Sequence, residues 1–225
     1  MKRVVIPELL DTDSGTPDEI ATALSDLRHV NQWFGGIVAT QSLITRVLRG
    51  TGAKSLSMLE VAAGSGFVPH AVAARMRKLG LLLQVTLLDR AASHLRSSSG
   101  NGVRAVVGDA VALPFLDGSF DLVSSCLFVH HLEPSAVVQF VNESLRVCRV
   151  AVIINDLVRH PIHLALAYAS LPLYRSRFTH HDAPASVRRA YTIAEMRKML
   201  GETTAARLEI GSHPLFRMGA IIWKR

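Results

Sequence analysis

The sequence predicts an α/β fold, in which a doubly wound, mostly parallel sheet carries helices on both faces. Three observations carry this expectation. From Leu56 onward, short β-branched or leucine-rich runs alternate with helical stretches, the pattern of consecutive βαβ units. Where the first run gives way to a helix stand small residues, Ala62-Ala63-Gly64-Ser65-Gly66. With 49% of residues apolar and 19% charged, the chain has enough material for one sizeable core.

The elements follow in order. Thr16-Pro17-Asp18-Glu19 reads as a helix start with proline in the first turn, and the helix runs to about Trp33. Gly35-Gly36 breaks it, and helical spacing resumes over 37–48, with Val38, Leu43, Ile44, Val47 and Leu48 expected on one side. Strands are expected at 57–61, 83–88, 103–107, 120–125, 150–155, 206–210 and 220–223, with helices at 68–79, 91–97, 134–146 and 192–200. Residues 157–189 break the alternation. They contain Pro161, Pro172 and Pro184 and begin just past a strand's carboxyl end, where open sheets bind ligands, so they are expected to roof a binding crevice. The division is a single domain, 1–225: a helical lid (1–52), a core (53–156), a lid insertion (157–191) and the rest of the core (192–225).

Composition excludes several classes. The basic and apolar start, Met1 to Ile6, stops at Pro7 and is followed by Glu8, Asp11 and Asp13, which is not a secretory leader. The longest apolar stretch, 161–174, contains His163 and Pro172 and is shorter than the ~20 residues that span a bilayer. Peripheral membrane contact stays open. Cys126 and Cys148 lie inside apolar runs, as reduced thiols do, which suits a cytoplasmic location. The net charge of +7 is dispersed along the chain, so no nucleic-acid partner is expected.

Four motifs carry chemistry. In Glu60-Val61-Ala62-Ala63-Gly64-Ser65-Gly66, small residues let the backbone approach a ligand while the turn presents amide groups to it. A third glycine is missing, so this is not the dinucleotide fingerprint. Asp89, with Arg90 beside it, ends the second strand, where a carboxylate can accept both hydroxyls of a ribose. Asp109-Ala110 follows the third strand and suits an adenine amine and ring nitrogen. Cys126-Leu127-Phe128-Val129-His130-His131 follows the fourth strand, beside the first.

Together these motifs, over residues 57–155, resemble the core of the class I S-adenosylmethionine-dependent methyltransferases, particularly small-molecule and quinone methyltransferases. The resemblance implies a Rossmann-like seven-stranded sheet in order 3-2-1-4-5-7-6 with the seventh strand antiparallel. It implies S-adenosylmethionine as cofactor and S-adenosylhomocysteine as product. Gly64 and Gly66 match the family's glycine loop, Glu60 its leading acid, Asp89 the ribose acid and Asp109 the adenine-contacting acid. Ala62 stands where the family usually has its first glycine, and Cys126 and Leu127 fall near the reactive end of the cofactor. Asn155-Asp156-Leu157 and the stretch from Ser186 to Tyr191 look like methyltransferases of bacterial polyketide or isoprenoid-quinone pathways.

Methyl transfer is an in-line displacement that needs the nucleophile aligned about 3 Å from the methyl carbon, with water excluded. A hydroxyl nucleophile must also lose its proton, for which histidine is the ordinary base. The candidates are His130 and His131 after the fourth strand and, in the insertion, His160, His163, His180 and His181, the last two followed by Asp182. Asp156 could orient a substrate or cap the next helix with Asn155; His160 and His163 read as packed on an apolar helix. Trp33 and Phe34 are candidates for a lid. No cluster has metal-ligand spacing, so no metal is expected.

The apolar side chains of the insertion, among them Leu166, Leu173 and Tyr174, favour an aromatic, polyketide or quinone-like acceptor methylated on oxygen or carbon. Ser124-Ser125-Cys126-Leu127 lacks the motif of enzymes that methylate exocyclic amines of bases. The lone Glu133 does not supply the paired glutamates of protein-arginine methyltransferases. A non-catalytic protein that binds the cofactor or a partner is the alternative.

Overall fold

The computed structural model describes residues 1–13, 15–95 and 104–224. Thr16 opens α1 (Pro17–Trp33) with a capping box, its hydroxyl accepting from the Glu19 amide while Glu19 returns a carboxylate to the Thr16 amide. After the Gly35 break, α2 (Gly36–Thr51) buries Leu43, Ile44, Val47 and Leu48, as its spacing predicts, whereas Val38, expected on the same side, is exposed because the helical turn carries it opposite Leu43 and Val47.

The alternation follows as β1 (Ser55–Val61), α3 (Phe67–Lys78), β2 (Leu82–Asp89), α4 (Ala92–Leu95), β3 (Arg104–Val107), β4 (Phe120–Cys126), α5 (Pro134–Val147) and β5 (Cys148–Leu157). Of the expected helix at 91–97, residues 96 and 97 lie outside the described residues, as does residue 103 of the third strand. After the insertion come α6 (Pro161–Ala169), α7 (Arg177–Arg189), α8 (Ile193–Leu200), β6 (Arg207–His213) and β7 (Arg217–Trp223). Among the described residues the strands form one seven-stranded sheet in order β3-β2-β1-β4-β5-β7-β6. β7 runs antiparallel to both its neighbours, and the other pairs are parallel.

Successive strand residues point to opposite faces, and each face has its own core. Met58, Leu122, Ile153 and Ile221 pack with α2 and α3; Leu59, Val123, Val152 and Ile222 pack with α5 and α8. Each such side chain, fully withdrawn from water, contributes about 1.5–3 kcal/mol. Coverage on both faces is why these strands read as continuous apolar runs rather than alternating ones.

The insertion forms two helices in spite of its prolines. Pro161 occupies the first turn of α6, where its missing N–H is no loss, and the His160 ring accepts from the Ile162 amide at 3.2 Å. Pro184 lies inside α7 and forfeits one helical hydrogen bond. Buried Asp26 of α1 takes the Arg175 and Ser176 amides just ahead of α7, tying the two helices together. The first thirteen residues cross the same region as a strap: the Val4 amide bonds the Arg188 carbonyl, and the Leu9 and Leu10 amides bond the Asp182 carboxylate. Among the described residues no helix is long and apolar enough to cross a membrane.

Candidate functional site

The carboxyl ends of β1, β2 and β4 open into a cavity of about 1190 Å³, closed above by α1, α6, α7 and the strap. Glu60, Ala62, Gly64, Asp89, Arg90, Asp109, Ala110, Cys126 and Leu127 all line it. Gly66 does not. It begins α3 at φ 68°, and a Cβ there would sit 2.5 Å from Leu87, so its need is for packing and backbone freedom. Ala62 also has a left-handed backbone, φ 54°, as does Leu127 at φ 57°. An L side chain in that region carries roughly 1–2 kcal/mol of strain, and here two such residues face one crevice.

Asp89 accepts from the Gly64 amide at 2.8 Å and the Ala91 amide at 2.9 Å. Burial would raise its carboxyl, but His94 and these two amides hold it below the usual range. A carboxylate has about four acceptor positions, so capacity remains for ribose hydroxyls. Asp109 accepts from the Val111 amide at 3.0 Å. Glu60 is buried, and its Oε2 has no hydrogen-bond partner among the described residues. Burial pushes its carboxyl up to about 7, only partly offset by the nearby Ser124 hydroxyl. An acid left like this at the end of β1 is suited to an incoming cation, such as the ammonium of the cofactor's methionine end.

Opposite the glycine loop stands a cluster of imidazoles and carboxylates. His130 is 2% exposed; Asp156 receives its Nδ1 at 2.6 Å and its backbone amide at 3.2 Å. Burial alone would pull this imidazolium down, but the charge and hydrogen bond of Asp156, with Glu8 added, push it up to about 10. His131 lies on Asp11 through Nδ1 at 2.8 Å, and its carbonyl accepts from Arg189. Glu8 faces both rings, 3.5 Å from His130 Nε2 and 3.7 Å from His131 Nε2.

Several expectations change here. Asp156 caps no helix and does not line the cavity; it lies within β5, and its carboxylate is spent on His130 and the Leu157 amide. His181 pairs with Asp182 at 2.8 Å but is exposed and does not line the cavity. Trp33 is 54% exposed and stacks on His29, whereas Phe34 lines the cavity. His163 lines the cavity and stacks on Phe216. The expectation of no metal-ligand cluster also changes. Glu8, His130 and His131 bring one ligand atom each within 4.8 Å of one another, which spacing along the chain could not reveal.

Two lining residues escaped the sequence reading. Glu8 comes from a segment with no motif. Arg217, at 1% exposure, gives its guanidinium only neutral acceptors: Phe34 carbonyl at 2.7 Å, Asn31 at 3.1 Å and Asn155 at 3.3 Å. Among the described residues no carboxylate pairs with it. A signal existed, since Arg217 precedes the apolar run Met218 to Trp223, but the strand was expected to start three residues later.

Residues 59–154 match the family described as methyltransferase domain. No curated protein matches the chain by sequence. Among solved structures, the plantazolicin methyltransferase BpumL in complex with a pentazolic desmethylPZN analog and SAH is 12% identical. It covers 92% of this chain and 91% of its own, with a TM-score of 0.71. A SAM-dependent methyltransferase from Aquifex aeolicus is 15% identical over 94% of this chain and 100% of its own, with a TM-score of 0.61. A putative O-methyltransferase from Nostoc punctiforme is 17% identical over 87% and 59%, with a TM-score of 0.57.

Proposed function

We propose that this class I S-adenosylmethionine-dependent methyltransferase acts on a small, largely apolar acceptor that presents one polar group to the His130–His131 cluster. The observation that carries the reading is one continuous cavity joining the glycine loop to the apolar underside of α6 and α7. Leu27, Leu166, Leu173, Tyr174 and Phe216 wall the second part, which suits an aromatic, polyketide or quinone-like skeleton. BpumL, of similar fold, holds pentazolic, triazolic and monoazolic desmethylPZN analogs, an azole-bearing series compatible with a roomy acceptor chamber.

When bound, the cofactor supplies an electrophilic methyl group on a sulfonium. In this reading Asp89 holds the ribose, Asp109 and the Ala110 amide the adenine, and Glu60 the ammonium of the methionine end. Arg217, a buried cation that no carboxylate pairs with among the described residues, would receive the carboxylate of that end. The strap and the α6–α7 roof exclude water, and the acceptor's skeleton is oriented by packing, so alignment supplies most of the rate. His130 and His131 meet the acceptor's polar group, and Asp156 is a positioning residue that fixes the His130 ring.

Calorimetric titration with S-adenosylhomocysteine tests the cofactor half. Wild type is expected to bind one equivalent and Asp89→Ala to lose at least tenfold in affinity. Methylation of phenolic and quinol acceptors, followed by mass spectrometry, tests the other half. An unaltered affinity in Asp89→Ala, or turnover only on sugars or amino acids, would overturn the respective part.

A further inference from the structure

We infer that Glu8, His130 and His131 form a binding site for one divalent transition-metal ion at the acceptor end of the cavity. The inference deepens the reading above, on which it depends only for the acceptor's position.

Three observations carry it. First, the two Nε2 atoms and the Glu8 carboxylate converge: 3.5 Å from His130 to Oε1, 3.7 Å from His131 to Oε2, and all within 4.8 Å. Ligand atoms around a tetrahedral ion with bonds of about 2.1 Å lie roughly 3.4 Å apart, so small side-chain movements close the set. Second, each ring is held from behind by a carboxylate on Nδ1, Asp156 at 2.6 Å and Asp11 at 2.8 Å. That is the outer arrangement of histidines that ligate metals, because it fixes the tautomer and aims Nε2 at the ion. Third, His130 is almost wholly buried and its Nε2 has no hydrogen-bond partner among the described residues, although it lines the cavity. Three carboxylates, Glu8, Asp11 and Asp156, gather around these imidazoles with Arg189 alongside, a setting in which a dication is electrostatically welcome.

Two nitrogens and one carboxylate suit Zn²⁺, Fe²⁺, Mn²⁺ or Co²⁺ rather than Ca²⁺ or Mg²⁺, which favour all-oxygen sets. Three protein ligands leave positions open toward the cavity, where an acceptor oxygen would complete the shell. An ion there would also fasten the strap, which supplies Glu8, to the loop after β4, which supplies both histidines.

The test is titration of tag-free, chelator-treated protein with Co²⁺, read by visible absorption, with bound metal counted by dialysis and elemental analysis. One equivalent with an intense visible band is expected. Glu8→Gln and His131→Gln should abolish the band, and Asp11→Asn should weaken affinity by about 10–100-fold. His181→Gln should change nothing. Circular dichroism of each variant and S-adenosylhomocysteine binding to the same samples separate misfolding, or failure of the methyltransferase reading, from loss of the site. Absence of stoichiometric Co²⁺ binding in folded wild type, or a band that survives both Glu8→Gln and His131→Gln, overturns the inference.

Discussion

Ala62 illustrates how a single methyl group can be weighed. Its φ of 54° is one that glycine adopts without strain, so Ala62→Gly relieves roughly 1–2 kcal/mol. The greater freedom of glycine in the unfolded chain returns about 0.4–1 kcal/mol of that. A net gain of between zero and about 1.6 kcal/mol is expected in urea denaturation, with S-adenosylhomocysteine affinity retained. Glu60 carries a pH signature. Below its ordinary pKa of 4.5 the acid is neutral in both folded and unfolded chains and contributes nothing. As pH rises toward 7 the unfolded chain ionises first, so stability without ligand falls by roughly 3 kcal/mol and then levels off. Ser124 faces Glu60 directly, and Cys126, whose thiol burial pushes up to about 12, lies nearby with Arg217 beside it. A bound ammonium would pair with the ionised acid. The rise in melting temperature caused by S-adenosylhomocysteine is therefore expected to be larger at pH 8 than at pH 5, and Glu60→Gln should flatten the difference. At this scale the place of Glu60, Asp89 and Asp109 at the cavity was legible because each sits at or just past the carboxyl end of its own strand. Glu8 and Arg217 were not, because their importance comes from neighbours more than a hundred residues away in the chain.

Among the elements, α7 depends on a contact that no local pattern announces. Asp26, on α1, satisfies the Arg175 and Ser176 amides from the buried side. Asp26→Ala leaves these donors without a partner, and about 1–3 kcal/mol of stability should be lost in denaturant titration. Asp26→Asn, which keeps an acceptor oxygen, should recover much of it. With the roof loosened, KM for the acceptor is expected to rise more than KM for the cofactor, because Leu173 and Tyr174 lead directly into α7 while Asp89 ends β2 and Asp109 follows β3. The core strands and helices were readable from periodicity, since burial on two faces dictates the residue types. The strap was not readable: its backbone is held by Asp182, Arg188 and other distant groups rather than by a repeating pattern of its own.

The whole molecule gathers its two ends at one cavity. The strap brings Glu8 and Asp11, and the last strand brings Arg217. Removing residues 1–13 should leave the sheet folded, because neither core includes them. It should nevertheless abolish methyl transfer while circular dichroism stays close to wild type, and a chain that lost its sheet signal instead would show the strap to be part of the folding unit. The order of the sheet was legible only through the resemblance; strand periodicity says which residues are buried but not which strands adjoin.

That order has a consequence for how the protein is made. β6 leaves the ribosome before β7, yet its sheet neighbour among the described strands is β7, which lies between it and β5. Until the chain is synthesised through Trp223, β5 keeps an unpaired edge, and its residues Val152, Ile153 and Ile154 are among the most apolar in the protein. Chains that end before Arg217 would therefore leave an apolar strand edge open, whereas released chains that run through Trp223 can close it themselves.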